Sequence, residues 1–292
     1  MSKVFNTFNL PRRVAVKGDA GVEIEVEGNN LPFPEEYWNC ERDGSLRGEA
    51  IEYVLRKPLN MPELRKALEF LDSCYKKNNT QVNESVRAGV HVHVNVQELS
   101  MIELFSFITA YIILEDLLIK YCGEYREGNL FCLRAKDAEY LLYIIEQAAQ
   151  TKDYRMFDND ILRYSSMNVC SLRRYGSLEF RAMRGTRDLS LIGDWAEMLV
   201  GIRDAAVKFE SAKQVVEFFN EDGAESFLEV FLGRYKDKIC NGLPAEETLS
   251  EGLVRAFPLA METDWDSFLT ADIGGLEFPL GTEFPDEPLE DF

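Results

Sequence analysis

The stretch Met167-Asn168-Val169-Cys170-Ser171-Leu172-Arg173-Arg174-Tyr175-Gly176-Ser177-Leu178-Glu179-Phe180-Arg181-Ala182-Met183 reads as two short alternating runs, 167–173 and 177–183, joined by a turn at Arg173-Arg174-Tyr175-Gly176. A connection this short pairs strands antiparallel, because parallel neighbours need a crossover of roughly a dozen residues or more. Working outward, period-two alternation recurs at 21–27, 51–55 and 87–96. Helical periodicity lies between these runs. A helix over 62–77 opens behind Asn60 with Pro62 in its first turn, and one over 101–121 starts at Ser100 with Glu103 at capping-box spacing and stops at Gly123. Segments 137–150, 189–209 and 225–239 also have helical spacing. Strands and helices alternate irregularly, so the expected class is α+β and not a doubly wound parallel sheet. Neither G-x-G-x-x-G nor G-x-x-x-x-G-K-[ST] occurs, which removes the common phosphate loops.

Three of the strands carry chemistry on one face. Alternate residues of a strand share a face. In Gly21–Glu27 one side is Val22, Ile24 and Val26, and the other is Glu23, Glu25 and Glu27. Carboxylates so close repel unless water or a cation lies over them, and hard divalent cations such as Mg²⁺ take such oxygens. In Ala88–Val96 the valines fill one face, while His91, His93 and Asn95 fill the other. The chain has only two histidines, so a three-histidine metal site is excluded by count. Ser177–Met183 places Glu179 and Arg181 opposite Leu178 and Phe180, and Glu52 begins a further strand. A sheet face that collects Glu, His and Arg suits a metal-bound nucleotide, since carboxylates hold metal and arginines hold phosphates.

Composition narrows the field further. The 292 residues include 32 Lys+Arg and 51 Asp+Glu, a net charge of −19, which argues against nucleic acid as a main partner. Beyond Arg255 there are ten acidic residues and no basic one, so 256–292 is expected to be an acidic, partly disordered tail after a domain over 1–255. The most apolar window, 101–119, contains Glu103, Glu115 and Asp116 and reads as a buried helix, not a membrane span. Six scattered cysteines without a C-x-x-C pair, and an N-terminus without a signal-peptide pattern, suggest free thiols and a cytoplasmic location.

In order along the chain, G-V-E-I-E-V-E (21–27), D-G-S-L (43–46), E-Y-V-L-R-K-P-L (52–59), G-V-H-V-H-V (89–94), R-Y-S-S-M-N (163–168) and S-L-E-F-R-A-M-R-G-T (177–186) together resemble the amidoligase family, a glutamine synthetase-like branch of the carboxylate–amine ligases. The resemblance covers 21–195 and leaves 188–255 as a helical C-terminal part of the domain. It implies a glutamine synthetase-like antiparallel sheet curved into a partial barrel, with helices packed outside and Mg²⁺ and ATP in its funnel. It implies Glu23, Glu25, Glu52, His91 and Glu179 as metal ligands. His93, Arg181, Arg184, Arg163 and Asn168 would then be nucleotide or substrate contacts, with Arg181 and Glu25 catalytic. The implied activity is ATP-dependent, ATP-grasp-independent joining of a small-molecule or peptide carboxylate to an amine through an acyl phosphate. Two other expectations remain beside it: phosphoryl transfer on the same core, and a non-catalytic interaction protein.

Overall fold

The computed structural model describes residues 2–263. The strands are β1 (Ala20–Asn29), β2 (Trp38–Glu41), β3 (Ala50–Leu55), β4 (Gln81–Val82), β5 (Gly89–Asn95), β6 (Met167–Asn168) and β7 (Ser177–Arg184). The helices are α1 (Val4–Thr7), α2 (Met61–Asn78), α3 (Met101–Cys122), α4 (Glu139–Thr151), α5 (Ser171–Tyr175), α6 (Leu189–Ala206), α7 (Ala212–Leu232), α8 (Lys236–Cys240) and α9 (Ala245–Glu262). The strands form one antiparallel sheet in the order β2-β3-β1-β5-β7-β6, and β4 extends the end of β1. The α+β class therefore stands, but the partial barrel does not. The sheet is neither closed nor curled. Its edges are β2, of four residues, and β6, of two, and they lie at opposite ends of the strand order. Closing a barrel requires edge strands that can pair along a shared tilt and stagger, and strands this short offer little ladder for it.

A second correction concerns the stretch that set the topology. Only Met167 and Asn168 pair with β7, opposite Phe180 and Glu179. The Asn168 side-chain oxygen then accepts from Cys170 N at 2.9 Å, an Asx-type turn that lifts the chain off the ladder. Residues 171–175 wind into α5 where a strand and tight hairpin were expected, and Gly176 ends that helix at φ 66° and ψ 39°. The antiparallel relation survives because α5 returns the chain beside its own strand. Farther on, the helix expected at 225–239 is the second half of α7 with α8; α7 breaks at Gly223, which has φ 81°. The last helix, α9, runs through residue 256, the expected start of the tail, to Glu262; residues 264–292 lie outside those described.

The core forms where the sheet's apolar face meets α3 and α6. Val22, Ile24 and Val26 of β1, Val90, Val92 and Val94 of β5, and Leu178 and Phe180 of β7 are all buried. Both turns of its capping box are made: Ser100 Oγ accepts from Glu103 N at 3.2 Å, and Glu103 returns a carboxylate to Ser100 N at 2.6 Å. Nearly every residue of α3 is buried, as expected of a helix that is apolar all round and lies between layers. Its outer side is covered by α7 and α9. Gly252 permits that cover, since a Cβ there would fall 2.3 Å from the Ile113 carbonyl oxygen. Trp38 Nε1 donates to Ala67 O at 3.1 Å and ties the β2 edge to α2. Among the described residues no helix is long and apolar enough to cross a membrane.

Candidate functional site

Packing the valine faces against helices leaves the opposite face of β1, β5 and β7 with the polar side chains. Register brings them together. Glu23 lies opposite His91, Gly21 opposite His93, Glu25 opposite Glu52, and His93 opposite Glu179. His91 Nδ1 sits 3.2 Å from Glu23 Oε2 and 3.7 Å from Glu179 Oε1, while His91 Nε2 is 3.8 Å from Glu25 Oε1. His93 Nε2 is 3.4 Å from Glu23 Oε1, and its Nδ1 is 3.2 Å from Ser177 Oγ. Two overlapping sets, Glu23/His93/Glu179 and Glu23/Glu52/His91, each bring three possible ligand atoms within 4.8 Å of one another. Glu23 is common to both.

The charges respond to this crowding. Burial would raise the Glu23 carboxyl, but hydrogen bonds to both imidazoles outweigh it and hold Glu23 well below the usual carboxylate range. Burial raises Glu25, although His91 and the Gly89 N–H partly oppose it. Burial, then the carboxylates of Glu23, Glu25, Asp43 and Glu41, pushes Glu52 up to about 7. Glu179 stays low despite burial because His93, Arg181 and His91 surround it. His93 in turn is raised by Glu179 and Glu23 against its own burial. The cluster thus crowds its carboxylates, and Glu52 exchanges its proton near neutral pH.

Several supports hold these groups in place. Gly89 N donates to Glu25 Oε2 at 2.7 Å, and a Cβ at Gly89 would lie 3.3 Å from Arg126 Nη2 and 3.5 Å from Glu25 Oε2. Asn168 Nδ2 donates to Glu179 Oε2 at 2.6 Å, Ser171 Oγ does so at 3.1 Å, and Arg181 pairs with the other carboxylate oxygen. Between Val90/Met183 and Val92/Phe180 the ladder slips by one residue, a β-bulge at Arg181-Ala182 of β7. Such bulges re-aim side chains beside functional sites. The two bulge carbonyls are not left bare: buried Arg126 donates from Nε to Ala182 O at 2.8 Å and from Nη2 to Arg181 O at 2.7 Å. Arg181 N donates to Ser166 O at 2.8 Å. Its Nε is buried and has no hydrogen-bond partner among the described residues.

Of the residues named from sequence, Glu23, Glu25, Glu52, His91, His93, Glu179, Arg181 and Asn168 come together. Arg163 lies on the rim, with its guanidinium 4.8 Å above the Tyr164 ring. Arg184 does not join them: its Nη1 donates to Tyr121 O and Cys122 O at the C-terminal end of α3, where a cation meets exposed carbonyls and the helix dipole. Sequence analysis missed Arg126 and Asp43 as members of the site. Arg126 lies in an irregular segment with no periodicity to place it, whereas Asp43 lay within D-G-S-L and could have been taken up.

Two different compartments flank the cluster. One, of about 270 Å³, is lined by Val14, Val16, Val22 and Pro58 and reaches Glu23 and His93. The other, of about 360 Å³, is lined by Arg87, Arg126, Arg163 and Arg181 and reaches Glu25 and His91. Between them a polar space of about 440 Å³ opens over Glu23, His93, Glu179 and Arg181.

Residues 55–198 match the model of a family described as "Putative amidoligase enzyme". Over that span, just under half of the chain, the sequence is that of the amidoligase family. The matched span contains both histidines, Asn168, Glu179 and Arg181, and it begins after Glu23, Glu25 and Glu52. The three carboxylates of β1 and β3 are joined to the matched part by strand register and by the contacts of Glu23 and Glu25 with His91, His93 and Gly89. No curated protein matches the sequence.

Proposed function

We propose that this amidoligase-family chain is an ATP-dependent carboxylate–amine ligase that works through an acyl phosphate. The observation that carries the reading is the pair of triads sharing Glu23, next to an arginine whose Nε has no partner among the described residues. The donor set, two carboxylates and one imidazole in each triad, fits Mg²⁺ through its oxygens and Mn²⁺ through all three groups. Glu23, Glu52, His91, His93 and Glu179 would hold such cations, with Glu25 beside them. Bound there, a divalent cation supplies charge neutralisation and polarisation of phosphoryl oxygens.

The chain's own residues do the rest. The apolar slot at Val14, Val16 and Pro58 suits the adenine, which would leave the phosphates at the cluster. Arg181, fixed by Glu179 and by the bulge, lines the space over the cluster and would present its guanidinium to the transferring phosphoryl group. A substrate carboxylate oxygen forms a bond to the γ-phosphorus as the bond to ADP breaks. The amine then forms its bond to the acyl carbon as inorganic phosphate leaves, and the amine proton passes to a basic group or water. Positioning and fixed charge account for most of the acceleration in such transfers. Phosphoryl transfer to an acceptor that is never joined to an amine would use the same groups, and product analysis separates it: an amide against a stable phosphorylated product.

Isothermal calorimetry of a non-hydrolysable Mg·ATP analogue on wild type and Glu25→Gln tests the nucleotide site. Metal-dependent binding that the variant loses supports it. A folded protein with no binding at millimolar nucleotide overturns it.

A further inference from the structure

We infer that the arginine-lined end of the cleft selects an acyl donor bearing at least one carboxylate besides the one that reacts, such as an acidic peptide, with Arg87 and Arg163 as specificity determinants. This rests on the ligase reading and names its substrate class. Four guanidinium groups converge on a space of about 360 Å³ whose own acids are Glu25 and Asp43. They do different work. Arg126 is buried and spent on the carbonyls of the bulge. Arg181 is paired with Glu179 and faces the cluster. Arg87 and Arg163 are exposed, and among the described residues neither has an ion-pair partner.

A donor with a single carboxylate would use Arg181 and leave both outer arginines idle. The chain carries a net charge of −19, so an unneutralised cationic mouth runs against its overall field and gives anions a local path in. Guanidinium groups bind carboxylates with two parallel hydrogen bonds, which makes arginine the better choice for a defined carboxylate position. The aromatic lip fits a chain more than a free small acid: Phe131 and Tyr164 pair with ring centroids 6.5 Å apart and are both exposed. The same exposure argues against adenine here, because a purine is better enclosed by the valine and proline slot at the opposite end.

Hydroxylamine offers a direct assay. It attacks the acyl carbon of an acyl phosphate, phosphate leaves, and a hydroxamate forms. With ATP, Mg²⁺ and hydroxylamine, we expect the KM for N-acetyl-triglutamate to be at least tenfold below that for N-acetyl-trialanine. Arg87→Gln should raise the triglutamate KM about tenfold, leave the trialanine KM unchanged and leave Mg·ATP analogue affinity within twofold, and Arg163→Gln should raise the triglutamate KM by a similar factor. Calorimetry of triglutamate binding without nucleotide should show the same loss in the variants. Equal KM values for the two peptides overturn the inference, as does a loss of nucleotide affinity in the variants that matches the loss for peptide. Arginine-dependent triglutamate binding by a protein that binds no nucleotide would sustain the acid site and remove the ligase reading.

Discussion

Carboxylates are buried in two places in this protein, and their surroundings differ. On the sheet, Glu23, Glu25, Glu52 and Glu179 face one another and two imidazoles. On α3, Glu115 and Asp116 face donors. Glu115 accepts from Ala135 N at 2.7 Å and from Ser166 Oγ, which also contacts Tyr111 Oη at 3.2 Å. Asp116 is paired with Arg255, with Lys136 at 3.0 Å and with Arg134 at 3.6 Å. Burial therefore does not mark a functional acid in this fold. What distinguishes the sheet cluster is that Glu52 meets the carboxylates of Glu23 and Glu25 with no cation of its own among the described residues, while the acids of α3 are matched by protein groups. The first arrangement has room for a cation, and the second fastens helices and loops together.

Breaking each region should give opposite signatures. The largest effect is expected for Glu52→Gln: turnover falls at least a hundredfold, since removing charge-stabilising groups costs this much in related chemistry, while the melting temperature holds or rises because the carboxylates that push Glu52 up are relieved of a like charge. Steady-state ADP release and calorimetric melting check both halves. Arg255→Met should do the reverse, lowering stability by about 3 kcal/mol because it strips a partner from a buried charge. Urea unfolding measures the loss, and nucleotide binding should persist in the folded fraction.

The comparison sharpens with pH. Burial pushes Glu115 up to about 7 from an ordinary 4.5. Between those values the native state holds a proton that the unfolded chain has released. This group's contribution is therefore most favourable below about 4.5 and declines as pH rises toward 7, by up to about 3 kcal/mol. Glu115→Gln should flatten that part of the profile, measured as the difference in unfolding free energy between pH 5 and pH 8. The smallest effect is expected for Ser166→Ala, which removes one hydroxyl donor from Glu115 and should cost about 1 kcal/mol in urea unfolding.

How much of this was legible in the sequence depended on the range of the interaction. The polar faces of β1, β5 and β7 were readable because alternation is local and the valines opposite leave no doubt about which side is buried. The order of those strands was not readable, so neither the pairing of Glu25 with Glu52 nor the open edges at β2 and β6 could be derived. The strand expected through Arg173 failed at Asn168, where a side-chain turn competes with the ladder. Arg126 and the bulge were invisible for a related reason: the guanidinium is placed by two carbonyls some 55 residues away, and nothing near it in sequence records them. Within the site, six of the acids and histidines were named from alternation and resemblance, but Arg184 was drawn to a helix end that only the tertiary structure provides.

The extra residue in β7 has a mechanical consequence. Glu179 is held in register with His93 on one side of the slip, and Arg184 with Gly89 on the other. A strand without that slip would lock both halves into one phase, so any shift at its far end would propagate to the acids. Here the two halves are phased independently. The Arg184 end can therefore follow α3, whose last carbonyls it holds, while the Glu179 end keeps its alignment with His93.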